Sequence, residues 1–312
     1  MNAVNGLPWT VLRVHRPALA LWSGFVAAFT GLLVWAVAVK AGKARAELVH
    51  CAHHANTCST LATADYGDVM RWGAVVVCYS FYAVAAWAGA CLVARELESG
   101  TARLAWTQSV SPVRWLTAQL AVPALVVTLG GAVLVSMFRW GWSNNPDRLD
   151  DGWSGFSTFV ALGPATVAYA LCALAVGALA GLLLGRALPA LGVTLAVMLL
   201  LNQTLGTLRA GLWPEVTRTG ATEAALPHRA WQLEGGVLVH GRRVADPDYG
   251  HCVGTAARIS RCAAEHGITG HYTVYQPLSH FWPLHLVETG IVLAVAGAAT
   301  ATAFRLLRRR TA

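Results

Sequence analysis

Six stretches of this 312-residue chain are each long and apolar enough to cross a bilayer, and that decides its class before any single residue is considered. A membrane-spanning helix needs about 20 largely apolar residues. The runs near 18–39, 72–94, 115–138, 159–184, 188–208 and 283–304 supply them. Only 12% of the residues are charged, too few to cover a water-soluble globule of this size. A disordered chain, a coiled coil and an ordinary cytosolic enzyme are thereby excluded. The expected fold is all-α and integral to the membrane, a single transmembrane domain over 1–312 with a large outer loop at 209–282. Spans four and five are parted only by Gly185-Arg186-Ala187, with Pro189 just beyond, which reads as a tight turn. The apolar core of the first span is too long for a cleaved signal peptide. Ahead of it, Leu7, Trp9, Val11, Leu12 and Val14 predict a short amphipathic helix lying in the interface.

The net charge of +8 reads as a topology signal, because the basic residues sit at the ends of apolar blocks. Ten of them (Arg13, Arg16, Arg95, Arg103, Arg114, Arg186, Arg305, Arg308, Arg309 and Arg310) fall on one side. Six (Lys40, Lys43, Arg45, Arg71, Arg139 and Arg148) fall in the short loops of the other. Both termini are therefore expected in the cytoplasm of a multi-pass protein of the bacterial plasma membrane. The bilayer is an expected partner and nucleic acid is not, since no basic helix interleaved with aromatics stands out.

Cys51, Cys58, Cys252 and Cys262 all fall on the predicted outer side, where disulfides persist. Four cysteines allow three pairings. The local one, Cys51–Cys58 with Cys252–Cys262, is expected, and four reduced thiols are the alternative. His53 and His54 beside the first pair lack zinc-finger spacing, so no metal site is expected.

The most informative stretch joins spans two and three on the predicted cytoplasmic side. Glu96 and Glu98 are the only acids in the short cytoplasmic segments, where they stand against ten basic residues. Gly100 can break a helix and Thr101 can cap the next one. A short helix along the membrane surface, ending before Pro112 and able to dock into a cleft on a cytoplasmic partner, is one reading; a solvated loop with incidental Arg–Glu pairs is the other.

This stretch resembles the membrane subunit of type-2 ATP-binding-cassette exporters, in the form common among high-GC actinobacteria. Those permeases read Arg-Glu-x-Glu-x-Gly-Thr-x-Arg-Leu-Ala-Trp-Thr-Gln-Ser-Val, then Arg-Trp and Lys-Leu. Arg95, Glu96, Glu98, Gly100, Thr101, residues 103–110, Arg114 and Trp115 fit, whereas Gln119-Leu120 departs from Lys-Leu. His15-Arg16, Tyr169-Ala170-Leu171, Leu188-Pro189-Ala190, Tyr275-Gln276-Pro277 and Glu288 resemble further blocks. The resemblance implies that Arg95, Glu96, Glu98, Gly100 and Thr101 form a coupling helix against a separate cytoplasmic ABC ATPase. That partner would bind the ATP and Mg²⁺. It also implies a second permease copy or a homologous permease, because six spans make half an exporter. The chain itself is expected to be no enzyme and to hold no cofactor. It has no phosphate loop: Gly42-Lys43 lacks the upstream glycine and is followed by Ala44. The expected function is export of an amphipathic or lipid-like compound; a non-transporting anchor or regulatory or resistance subunit for an ATPase is the alternative.

Polar residues at lipid depth need partners or a purpose. Tyr79, Ser80 and Tyr82 in span two, with Asn202, Gln203 and Thr204 in span five, are candidates to line a substrate path, against plain helix-to-helix bonding. Glu288, the only acid inside a predicted span, is expected to bond a neighbouring helix end. Gly177, Gly181 and Gly185 form a small-residue face on span four, for packing against a neighbouring span or for a dimer seam. In the outer loop, Val237–Val239 and Tyr272–Tyr275 predict short strands.

Overall fold

The structure, a computed structural model, describes residues 12–54, 58–107, 110–144, 152–220, 226–227, 229–245 and 255–311. Most of the expected interfacial helix, Gln108, Ser109 and Cys252 lie outside the described residues. Among the described residues, six helices are long and apolar enough to cross a membrane. The protein is a multi-pass helical membrane protein.

Span one is α1 (Arg16–Trp35), a π-helical stretch (Ala36–Ala41) and α2 (Gly42–His53). Span two is α3 (Leu61–Trp87) and a second π-helical stretch (Ala88–Leu92). The short helices α4 (Ala94–Glu98) and α5 (Thr101–Thr107) lead to span three, α6 (Pro112–Ser143). A short α7 (Phe156–Ala161) precedes α8 (Ala165–Leu184), span four, and α9 (Ala187–Leu208) is span five. An inserted segment holds α10 (Ala256–Glu265), and α11 (Phe281–Thr311) contains span six.

Several boundaries differ from those expected. The helix of span two begins at Leu61, not at 72, and that of span one runs on past 39 to His53, for 38 residues in all. At 1.5 Å per residue such a helix measures about 57 Å, well beyond a hydrocarbon core of about 30 Å. Charged residues mark where the chain leaves lipid, but they do not stop a helix. The protruding ends are bound to one another. Lys40 Nζ lies 3.7 Å from the Asp65 carboxylate, and Glu47 accepts from the Thr63 amide (2.8 Å) and hydroxyl (3.1 Å). The buried Tyr66 hydroxyl donates to the Gly141 carbonyl at 2.8 Å. The span expected at 159–184 is interrupted at Leu162-Gly163-Pro164, because Pro164 has no N–H with which to continue the α7 ladder. Gly163 leaves room for the His285 ring, whose Nε2 would lie 2.5 Å from a Cβ there. Gly185 ends α8 at φ +62°, with its N–H donating to the Gly181 carbonyl at 2.9 Å, and makes the expected tight turn.

The small-residue face of span four packs inside this chain, against span two. A Cβ on Gly177 would lie 2.7 Å from Ala88 Cβ and 2.8 Å from backbone at Ala88 and Gly89; one on Gly181 would lie 2.9 Å from Ala94 N. Gly185 has open space at that position. On another side of the same turn, a Cβ on Gly89 would meet Thr194 Oγ1 at 2.8 Å and Leu191 Cα at 2.9 Å on α9. The π-helical end of span two is thus wedged between spans four and five.

Cys51 and Cys58 form a disulfide, which takes both sulfurs from any zinc site. Cys262 is disulfide-bonded as well. A loop this short gains about 2–3 kcal/mol from its cross-link. In denaturant without reductant, a maleimide-polymer gel shift is expected to tag the thiols of Cys78, Cys91 and Cys172 but not Cys51 or Cys58. Tagging of the latter two before reduction would contradict the pair.

A second compact unit comprises Gly152–Ser154 and Thr207–Leu284. Its core is an antiparallel four-stranded sheet of β1 (Val216–Gly220), β2 (Trp231–Val239), β3 (Arg242–Ala245) and β4 (Ile268–Gln276), in the order β1-β4-β2-β3. The two expected strands lie within β2 and β4. Val239 pairs with Arg242 across the two-residue turn His240-Gly241, whose φ angles of 49° and 77° are those of a type I′ hairpin. Trp153 joins this unit: its Nε1 donates to the Arg229 carbonyl at 2.8 Å, and its ring meets Trp231 and Phe281 edge-on. The Tyr272 hydroxyl donates to Glu234 at 2.6 Å, and this bond holds the phenol above its usual pKa.

Candidate functional site

The segment between spans two and three is fixed at both ends by sequence-local causes. Val93, at φ −125° and ψ −44°, breaks the helix of span two, and α4 restarts at the buried Ala94. Gly100 takes φ +76°, a backbone state that L side chains avoid, and so turns α4 into α5. Thr101 works backwards here instead of capping α5: its hydroxyl donates to the Glu96 carbonyl at 3.2 Å and lies 2.9 Å from the Ser99 hydroxyl. Ser111 caps span three, accepting from the Arg114 amide at 3.4 Å with Pro112 at the first helical position. Ser111→Ala is expected to lower stability by about 1 kcal/mol, read as a fall in melting temperature; an unchanged melt would remove the cap.

Both carboxylates are bonded to neighbouring spans, Glu96 half-buried and Glu98 exposed. Glu96 accepts from the Trp115 indole N–H at 2.9 Å and from the Gln119 amide at 2.6 Å, both on span three. Glu98 accepts from the Ala187 backbone N–H at 2.9 Å. Ala187 opens span five, where unbonded amides and the helix dipole both favour an anion. Arg95, Glu98, Ser99, Thr101, Leu104 and Thr107 are exposed in the same segment. It therefore has a face bonded to spans three and five and a face turned to solvent. Beside it, Ala90, Cys91, Arg95, Glu98, Ser99 and Ala187 line a cleft of about 460 Å³.

The sequence profile of a family described as ABC-2 membrane transporter related matches residues 23–209, which is 187 of the 312 residues. The chain belongs to that family. The ABC-2 match takes in most of span one, all of spans two to five and the whole α4–α5 segment. Membership makes this a permease-type membrane domain, a kind that associates with an ATPase subunit. No curated protein and no solved structure matches the chain.

Within this ABC-2 domain the residues singled out for a substrate path are placed differently from one another. Tyr79 and Tyr82 stack on successive turns of α3 with ring centroids 5.9 Å apart, and Tyr79 also stacks on Phe156 at 6.4 Å. Phe156 lies against Gly206 on α9, one turn beyond Asn202. Asn202 is fully buried with neither amide atom hydrogen-bonded, and the Tyr82 hydroxyl is buried and unpaired too. A buried polar group left without a partner costs about 1–3 kcal/mol. Gln203 is on the exposed side of α9. Tyr79 and Ser80 also line an apolar groove of about 480 Å³ between α1, α3 and α6, with Trp22, Phe25, Trp87 and Pro123. A second hollow of about 630 Å³ shares Phe25 and Val76 with it and reaches Lys40, Asp65 and Asp68.

Glu288 is buried and accepts from the Tyr169 hydroxyl of span four at 3.0 Å, a helix-to-helix bond of the expected kind. The neighbouring His285 lies 2.8 Å from the Phe159 carbonyl and stacks on the Phe159 ring. Two residues beside the α4 segment are not picked out by the sequence. Gln119 registered only as a departure from a motif and His15 only as part of one, yet both are buried and hydrogen-bonded to each other at 3.0 Å. A polar residue two turns inside an apolar span was the available signal.

Proposed function

We propose that this chain is the membrane subunit of an ATP-driven exporter of the actinobacterial form, and that α4 and α5 are its contact with a separate cytoplasmic ATPase, which binds the ATP and Mg²⁺. One observation carries the reading. The α4 segment is held at once by span four through Ala94, by span three through Glu96 and by span five through Glu98, so a displacement of its solvent face by Arg95, Gly100 and Thr101 moves three spans together. ATP shifts the two states of the pump only if the partner grips this face unequally in them. The basic residues on one side and the Cys51–Cys58 disulfide at the far end of span two support a cytoplasmic coupling segment and cytoplasmic termini. Six spans support pairing with a second copy or a homologous permease. The apolar groove of spans one to three, continuing towards Lys40 and Asp65, supports an amphipathic or lipid-like substrate. Tyr79, which lines that groove, offers it a hydroxyl at lipid depth.

The test is to reconstitute the chain in liposomes with its cytoplasmic ABC ATPase partner. ATP hydrolysis is expected to rise several-fold when the chain is present, and ATP-dependent movement of a fluorescent phospholipid between leaflets is expected to accompany it. Equal hydrolysis with and without the chain would refute the coupling role; stimulation without any solute or lipid movement would leave a regulatory subunit instead of an exporter.

A further inference from the structure

We infer that His15 and Gln119 are positioning residues, and that the hydrogen-bonded chain from His15 through Gln119 to Glu96 carries movement of the coupling segment to the groove between spans one, two and three. The inference rests on the proposed function and adds the route by which the segment acts. Gln119 is the pivot. Its side-chain amide has one acceptor and one donor end, and Glu96 as a carboxylate can only accept. The amide N–H therefore faces Glu96 at 2.6 Å and the carbonyl faces His15 at 3.0 Å. That orientation requires the proton on His15 Nε2. One side chain thus joins α4 and the start of α1, parts of the chain that are 81 residues apart (96 minus 15).

The far end of the relay is the groove itself. The His15 ring meets Trp87 edge-on at 5.2 Å, and the His15 carbonyl accepts from the Leu19 amide at 3.0 Å. Trp87 and Leu19 both line the groove. Trp87 is also the last residue before the π-helical stretch that connects α3 to α4. Such stretches have looser hydrogen-bond registers than an α-helix and concentrate at functional sites. Pulling α4 away from span three drags Gln119 or breaks its bond to Glu96. Either event frees His15 and the two groove walls it holds. Buried interfaces of this kind switch between discrete arrangements and do not bend smoothly.

The test uses the full chain in nanodiscs with its ATPase, with Cys78, Cys91 and Cys172 replaced by alanine and spin labels at Leu21 and Val76, two exposed groove-lining residues on α1 and α3. Pulsed electron paramagnetic resonance measures the distance between the labels with and without ATP and vanadate. Wild type is expected to shift its distance distribution on ATP. Gln119→Leu and His15→Phe are expected to reduce the shifted population about tenfold, the scale of side-chain coupling between sites. His15→Gln, which keeps an N–H donor, is expected to retain it. His15→Phe preserves an aromatic edge against Trp87, and a melting curve for each variant confirms folding. A full shift in folded His15→Phe, or loss of the shift in His15→Phe and His15→Gln alike, overturns the relay while the wild-type shift leaves the permease reading standing. No shift in wild type, together with no stimulated hydrolysis, overturns both.

Discussion

Glu96→Ala is expected to abolish stimulation of the partner ATPase and to lower the stability of the membrane unit by about 3 kcal/mol. Two charge-assisted hydrogen bonds disappear with the carboxylate, each worth about 1.5–3 kcal/mol, and partial exposure of the site discounts their sum. The Trp115 indole and the Gln119 amide lose their acceptor together, on a face where alanine offers none. Glu96→Gln separates charge from shape. Its amide oxygen satisfies one donor while its NH₂ opposes the other, so an intermediate loss is expected. Glu98→Ala removes one bond to an exposed helix start and is expected to cost only about 1 kcal/mol. Melting in detergent and hydrolysis assays on the three variants check the order. Equal melting temperatures for Glu96→Ala and wild type would mean that the inward bonds contribute nothing.

The second large effect concerns the seam between spans two and four. Gly177→Leu is expected to prevent accumulation of folded protein, because even its first carbon would stand 2.8 Å from backbone at Ala88 and Gly89. A flexible side chain can move aside, but the backbone of a wedged turn cannot. Overpacking of this kind costs about 1–3 kcal/mol even where neighbours can yield. Gly181→Leu meets the Ala94 backbone and is expected to fail in the same way, with the added consequence that it pushes on the first residue of the coupling segment. Gly192→Ala, which meets nothing within 4 Å, is the matched control and is expected to accumulate normally. Fluorescence-detected size-exclusion profiles of the variants read the result directly. A monodisperse, wild-type-like peak for Gly177→Leu would refute the close approach.

Much of this architecture can be read from residue order, because lipid imposes a simple rule on backbone polarity. The six spans, the Gly185 turn, the Gly100 break and the Cys51–Cys58 pair all follow from local chemistry. The helix ends of spans one and two do not, since Lys43, Arg45, Asp65 and Asp68 end the apolar run without ending the helix. The hairpin at His240-Gly241 was legible only as strand-like residues, because histidine in a left-handed turn is an uncommon signal. At the coupling segment, sequence picks out Glu96 and Glu98 by their charge but not their direction. That Glu96 points at Gln119, 23 residues on, and Glu98 at Ala187, 89 residues on, is a tertiary fact. The same holds for His15, whose partner lies 104 residues away. The Gly177 and Gly181 face is visible in the sequence, but its partner, the end of span two, is not.

The central claim, that the α4–α5 turn faces the cell interior and meets the ATPase, is tested most directly by one engineered thiol. Ser99 is exposed at the tip of that turn, so Ser99→Cys can be reached by a membrane-impermeant maleimide. The account predicts no labelling in intact cells, labelling in inverted vesicles, and protection there when the ATPase is bound. Labelling of Ser99→Cys from outside intact cells would contradict it.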